Sequence, residues 1–242
     1  MGDSVEAKGM DDRTIRALEA VRRGESWRAR VRRWLMPPAP LVMNPDEWRV
    51  DAPLGRWNLY IGGAAARPDG YLNLDLFPLP GVDLAADAGL LPFNRPLFQR
   101  IECDAVLEHV PHPDAMVQEL ARVLLPGGYL HLVAPFAHPF HEYPRDYRRF
   151  TLDGLRLMGQ SAGLTPVKEG WRSGPTATML VFVLEYAKLW CPAWLRPVVH
   201  GGLGWILFPL RYLDCLLWRR VRARQLGNHA YLWLRKPLQP HR

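Results

Sequence analysis

In the first half of the chain, glycines and carboxylates recur just past apolar runs. Gly62 and Gly63 follow NLYI, Asp75 follows LNL, Asp87 lies in ADAGLLPF, and Asp104 follows IEC. Glycine lets a backbone pass close to a ligand, and an ionised carboxylate accepts hydrogen bonds without donating any. Tight turns and acceptors at neighbouring strand ends suit a nucleotide-like cofactor, because open parallel sheets bind ligands beyond the carboxyl ends of their strands. Three histidines follow: His109 in VLEHV, then His138 and His141 in APFAHPFHEYPRDYRRFT. Imidazole is the side chain whose ordinary pKa best suits removal of a proton near neutral pH.

The elements that must position these residues are legible in the hydrophobic periodicity. Strands are expected near Asn58–Ile61, Tyr71–Asp75, Arg100–Asp104 and Tyr129–Ala134, with a final one over Ala230–Arg235. Met116, Val117, Leu120, Val123 and Leu124 recur at helical spacing, and Pro126-Gly127-Gly128 is expected to stop that helix and turn the chain. Thr151 reads as the N-cap of a further helix, with Leu155 and Met158 inward and Gly163 near its end. Strands alternating with helical segments imply a parallel α/β sheet.

Only GGAAARPDG separates the first two strands, and Pro68 and Gly70 leave room for at most one helical turn. A dinucleotide site needs a helix N-terminus to bind pyrophosphate and an acidic residue about twenty positions later, and Asp75 arrives too early. A ligand without phosphate fits this turn better.

The segments WNLYIGGAAARPDGYLNLDL, VDLAADAGLLPF, IECDAVLEHV and ELARVLLPGGYLHLVAPF, in that order, resemble the class I S-adenosylmethionine-dependent methyltransferases. The likeness is to the small-molecule, methyltransferase type 11-like branch, whose VLEHV follows the fourth strand, and it covers roughly residues 57–170. It implies a Rossmann-like α/β sheet with helices on both faces, here with an apolar helical insert before the last strand. It implies S-adenosylmethionine as cofactor, with Gly62 and Gly63 passing its amino-acid moiety and Asp75 accepting from both ribose hydroxyls. Asp87 would accept from the adenine amine, Ala88 would offer its backbone N–H to a ring nitrogen, and Asp104 would meet the ammonium group or the substrate. His109 and His141 would stand at the mouth of the pocket as catalytic bases, with Tyr147 and Arg148 shaping the acceptor site. Ala64 stands where the family usually has its second glycine, and Gln99 where an acidic residue is common. Those departures motivate an alternative, a non-catalytic methyltransferase-like binding protein.

At 242 residues, 48% hydrophobic and 23% charged, the chain holds one large globular domain with room for an appendage. The expected division is a basic N-terminal helix and linker over 1–52, a cofactor-binding core over 53–175, and apolar helices with the final strand over 176–242. Cys103, Cys191 and Cys215 are widely spaced in apolar contexts, as in a reducing, cytoplasmic setting. The N-terminus carries neither a signal-peptide h-region nor a myristoylation pattern, since Glu6 stands where Ser or Thr is needed.

A net charge of +7 and a pI near 9.6 favour anionic partners. Residues 11–35 read as an arginine-rich amphipathic helix suited to an anionic membrane surface or to RNA, the latter giving a third reading as an RNA-binding module. Thr178–Trp190 and Pro197–Tyr212 are strongly apolar, yet Glu185, Lys188, Arg196, Arg211 and Asp214 interrupt the region too often for a membrane span. They suit helices lying in the interface at the inner face of a membrane, or a dimer contact; the oligomeric state stays open. The chain has no Asn/Asp-Pro-Pro-Tyr motif and no Pro-Cys pair. Both absences argue against a nucleic-acid acceptor and for a hydroxyl or amine of a small molecule, sugar or lipid-linked intermediate. No metal site is expected: His109/His112 and His138/His141 share three-residue steps, but Pro111, Pro139 and their separate elements argue against one cluster.

Overall fold

The computed structural model describes residues 36–37, 42–63, 69–141, 145–218 and 220–238. The basic helix expected over 11–35, together with Ala64 and the short crossover at 64–68, lies outside the described residues.

Seven strands form one sheet: β1 (Asn58–Ile61), β2 (Leu72–Asp75), β3 (Leu84–Ala85), β4 (Phe98–Asp104), β5 (Leu124–Pro135), β6 (Thr165–Trp171) and β7 (His229–Arg235). Their order is β3-β2-β1-β4-β5-β7-β6, parallel from β3 to β5, with β7 antiparallel to both β5 and β6. The order reverses between β1 and β4, and a crevice opens at such a switch point. Helix α1 (Pro113–Val123) precedes β5 and α2 (Leu152–Ser161) precedes β6. Thr151 caps α2 by accepting from Gly154 N, as its position requires.

Alternation along the central strands sends side chains to two sides. Leu130, Leu132 and Ala134 of β5, and Ala230, Leu232 and Leu234 of β7, pack with Met116 and Leu120 of α1 and Leu155 of α2. The intervening Val133, Tyr231 and Trp233 pack with Ala52 on the opposite side. There Glu47, in a 3-10 turn over Pro45–Trp48, accepts from the Trp233 indole through its backbone carbonyl.

Between β6 and β7 come α3 (Pro175–Leu189), α4 (Arg196–Leu207), a 3-10 turn over Phe208–Leu213, the short α5 (Asp214–Leu217) and a second 3-10 turn, Val221–Leu226. The fully buried Asp214 holds this region together, since its carboxylate accepts from Thr176 N and Ala177 N at the start of α3. A carboxylate there meets both unpaired amides and the positive end of the helix.

Three elements differ from the expectation. Helix α1 ends at Val123 and Leu124 already pairs with Phe98, so Pro126-Gly127-Gly128 forms an irregularity inside β5. Gly127 adopts φ +78, and pairing resumes at Arg100 opposite Tyr129. Strands β3 and β6 are additional, one because two residues carry no periodicity, the other because it is a half-exposed edge containing Pro166, Lys168 and Glu169.

Candidate active site

The carboxyl ends of β1, β2 and β4 surround a cleft. It is lined by Ile61 and Gly62, by Leu74 to Phe77, by Ala86 to Ala88, and by Ala105, Val106, His109 and Val110. Gly62, Asp75, Asp87, Ala88 and His109 therefore face one hollow, whereas Gly63, Asp104 and His141 are not among its lining residues. Gly62 has φ +78, and a Cβ there would stand 2.2 Å from Val106 Cγ2, so only glycine leaves this wall open. Its N–H donates to Leu74 O, and Ala86 N donates to Asp75 O, which ties the three walls together.

Asp75 and Asp87 each use one carboxylate oxygen locally, accepting from Phe77 N and Gly89 N respectively. The second oxygen of each has no partner among the described residues. Apolar walls with two spare acceptors and no Lys or Arg in the lining fit adenosine, whose hydroxyls and amine donate. The same lining would repel a pyrophosphate. Ala105 sits at φ 53, a left-handed conformation rare outside glycine, at the floor of the cleft where β4 ends. Nothing in an alanine codon signals that strain beforehand.

Past β4, Leu107–His109 form a 3-10 turn, and the segment after β5 folds back onto it. Tyr147 N donates to Glu108 O, Arg148 Nη2 donates to Pro111 O, and His109 Nδ1 contacts Arg145 O. This brings His141 beside His109, their rings edge to face at 5.0 Å. Glu108, fully buried, lies 3.7 Å from His109 Nε2 and 3.8 Å from His141 Nε2. Burial pushes the Glu108 carboxyl up to about 7. Burial also pushes His109 below its ordinary value, with the Arg145 carbonyl acting in the opposite sense. Asp146 accepts two charge-assisted hydrogen bonds from Arg149, which hold it down at about 2. The reason for expecting no metal cluster was that these residues belong to separate elements, and the fold removes that separation.

Asp104 has a different neighbour from the one expected. Arg172, at the end of β6, reaches both of its carboxylate oxygens at 2.6 Å and donates through Nε and Nη2 to the buried Glu47. Burial opposes ionisation of Glu47, but its contacts with His131 and Arg172 prevail and hold the carboxyl below its ordinary value. Glu47 and Arg172 are 125 positions apart. A single sequence carries no sign of such a pairing.

Residues 74–132 match a family model described as a methyltransferase domain. No curated protein matches the chain. Among solved structures, the [4+2]-cyclase SpnF has a TM-score of 0.50 at 18% identity, covering 89% of this chain and 85% of that one. The 1,6-didemethyltoxoflavin-N1-methyltransferase of Burkholderia thailandensis, solved with 1,6-didemethyltoxoflavin and S-adenosylhomocysteine, has a TM-score of 0.50 at 15% identity. That alignment covers 96% of this chain and 93% of the other. A cyclase and a methyltransferase on one scaffold show that such likeness concerns the fold, and the acceptor must be argued from the site. The matched segment runs from within β2 to within β5, through the strand ends that build the cleft, and the fold as a whole is that of these Rossmann-like methyltransferase structures.

Proposed function

We propose that the protein transfers a methyl group from S-adenosylmethionine to a hydroxyl or amine of a small-molecule, sugar or lipid-linked acceptor. The observation that carries this reading is the single cleft shared by Gly62, Asp75, Asp87, Ala88 and His109. Asp75 would accept from the ribose hydroxyls, Asp87 from the adenine amine, and the Ala88 N–H would meet a ring nitrogen. Gly62 and Gly63 would let the amino-acid moiety approach the backbone. Asp104, neutralised by Arg172, would border that moiety without being freely available to it.

The bound cofactor supplies an activated methyl group on its sulfonium. The chain's part is to hold the acceptor in line and to receive its proton. That proton would be received at the Glu108–His109–His141 cluster, with His109 and His141 as the proposed catalytic bases. The similarly folded Burkholderia thailandensis methyltransferase holds 1,6-didemethyltoxoflavin, in keeping with a small-molecule acceptor here. No helix among the described residues is long and apolar enough to cross a membrane. Exposed Trp190, Trp194 and Trp205, with Arg196 and Arg220 nearby, support contact with an anionic surface at the inner face of a membrane.

Calorimetry with S-adenosylhomocysteine tests the core of this reading. The intact protein is expected to bind it, and Asp75→Ala to weaken binding by roughly 10- to 100-fold, the loss of two hydrogen bonds to a charged acceptor. Undetectable binding by the intact protein would end the transferase assignment.

A further inference from the structure

The three atoms that converge behind the cleft mouth are all acceptors. His109 Nδ1 faces the Arg145 carbonyl, which makes Nδ1 the protonated nitrogen and leaves Nε2 a bare lone pair. His141 Nδ1 lies 3.3 Å from the Pro139 carbonyl and 3.5 Å from Asp146 Oδ2, so in the neutral ring Nδ1 carries the proton and Nε2 is the ligand atom. The two Nε2 atoms stand 3.7 and 3.8 Å from Glu108 Oε1. Glu108 is fully buried, and among the described residues neither of its carboxylate oxygens has a hydrogen-bond partner. A carboxylate buried without a partner side chain is disfavoured, and two imidazole nitrogens that offer it no proton do not offset the loss of water. A cation held between the three would satisfy all of them at once.

From this geometry we infer that Glu108, His109 and His141 form a binding site for a divalent first-row transition ion such as zinc. The three ligand atoms lie within 4.8 Å of one another. With the 3.7 and 3.8 Å edges, a point in their midst stands about 2.2–2.4 Å from each, close to metal–nitrogen and metal–oxygen bond lengths of about 2.0–2.2 Å. Two imidazoles and one carboxylate select the manganese-to-zinc series over calcium or magnesium, which prefer oxygen. Each histidine also has the outer partner that metal-bound histidines keep, a carbonyl for His109 and a carbonyl with a carboxylate for His141. His141 is about one-third exposed, which gives the ion an entry path and leaves coordination positions open.

The site does not depend on the proposed methyl transfer, but it would deepen it. An acceptor hydroxyl bound to the ion would lose its proton to solvent water. Its oxygen would then form the new bond to the methyl carbon while the carbon–sulfur pair leaves with sulfur. The histidines would then act as ligands, and the ion would perform the activation that they otherwise perform as bases.

The untagged full chain, freed of metal with a chelator, should bind one equivalent of cobalt(II) with visible d–d absorbance, and zinc should displace it. Glu108→Gln, which keeps the buried shape, and His141→Ala, at a half-exposed position, should each weaken binding by about 10- to 100-fold. No bound cobalt or zinc in the intact protein overturns the inference, as does unchanged affinity in both variants. Calorimetry with S-adenosylhomocysteine on the same samples separates the two readings. Cobalt binding without S-adenosylhomocysteine binding supports the site and sinks the transferase reading; the reverse sinks the site alone.

Discussion

The sheet and the helical region between β6 and β7 use similar residues to opposite ends. In β1, β4, β5 and β7 the apolar side chains are almost wholly enclosed, Leu59, Ile101, Leu132 and Leu232 being 0% exposed. In α3 and α4 and the segment joining them, Phe182, Tyr186, Trp190, Trp194 and Trp205 face outward, Trp190 and Trp194 at 76% exposure. Apolar content is therefore a poor guide to what a segment buries. Position decides it: the sheet's side chains meet α1, α2 and each other, whereas the helical region is fastened mainly at its ends, through Asp214 and the Thr178–Leu226 hydrogen bond. The cleft belongs to the packed region, where hydrogen bonds such as Gly62 N to Leu74 O tie the strand ends together. The exposed aromatic face belongs to the looser one, which suits contact with a yielding surface.

The contrast can be broken most directly at Leu132. Leu132→Ala should remove about 2–5 kcal/mol in denaturant titrations, because the enclosed site leaves a cavity; a loss below about 1 kcal/mol would mean the sheet is not packed as described. His229, where β7 begins, sharpens it through pH. Burial, then the neighbouring charges of His138 and Arg172, push its pKa from 6.5 down to about 3. Its folded pKa thus lies below its unfolded one, so the neutral form's stability is intact above 6.5 and is lost as pH falls towards about 3. His229→Asn should flatten that acid decline, worth up to a few kcal/mol, and an unchanged profile would remove His229 as its source. The smallest expected effect on stability is in the other region. Trp194→Ser should shift stability by no more than about 0.5 kcal/mol while weakening flotation with anionic vesicles. Full retention of flotation would detach the aromatic face from any lipid role.

β1, β2 and β4 are legible in the sequence because each carries an apolar run that ends in Gly or Asp, and those ends are where the cleft lies; β3, of two residues, carries no such run. The α1 and α2 faces are legible because their inward residues repeat at helical spacing. Sequence reading did not reach β6, whose edge position needs no apolar alternation, nor the bulge in β5, since Pro-Gly-Gly is equally at home in a turn. The Glu108–His109–His141 cluster was half visible. His109 and His141 stand out by residue type, but the fold-back that joins them to Glu108 rests on backbone hydrogen bonds such as Tyr147 N to Glu108 O, which any residue but proline could make. The Glu47–Arg172–Asp104 network was invisible for the same reason of distance along the chain.

Among the described residues strand β6 pairs with β7 alone, and β7 arrives only after the whole helical region has been made. A nascent polypeptide that has left the ribosome as far as α4 therefore carries β5 with a naked edge and β6 without any mate. Such edges are templates for pairing with other chains, and the exposure ends only when His229–Arg235 slots between them.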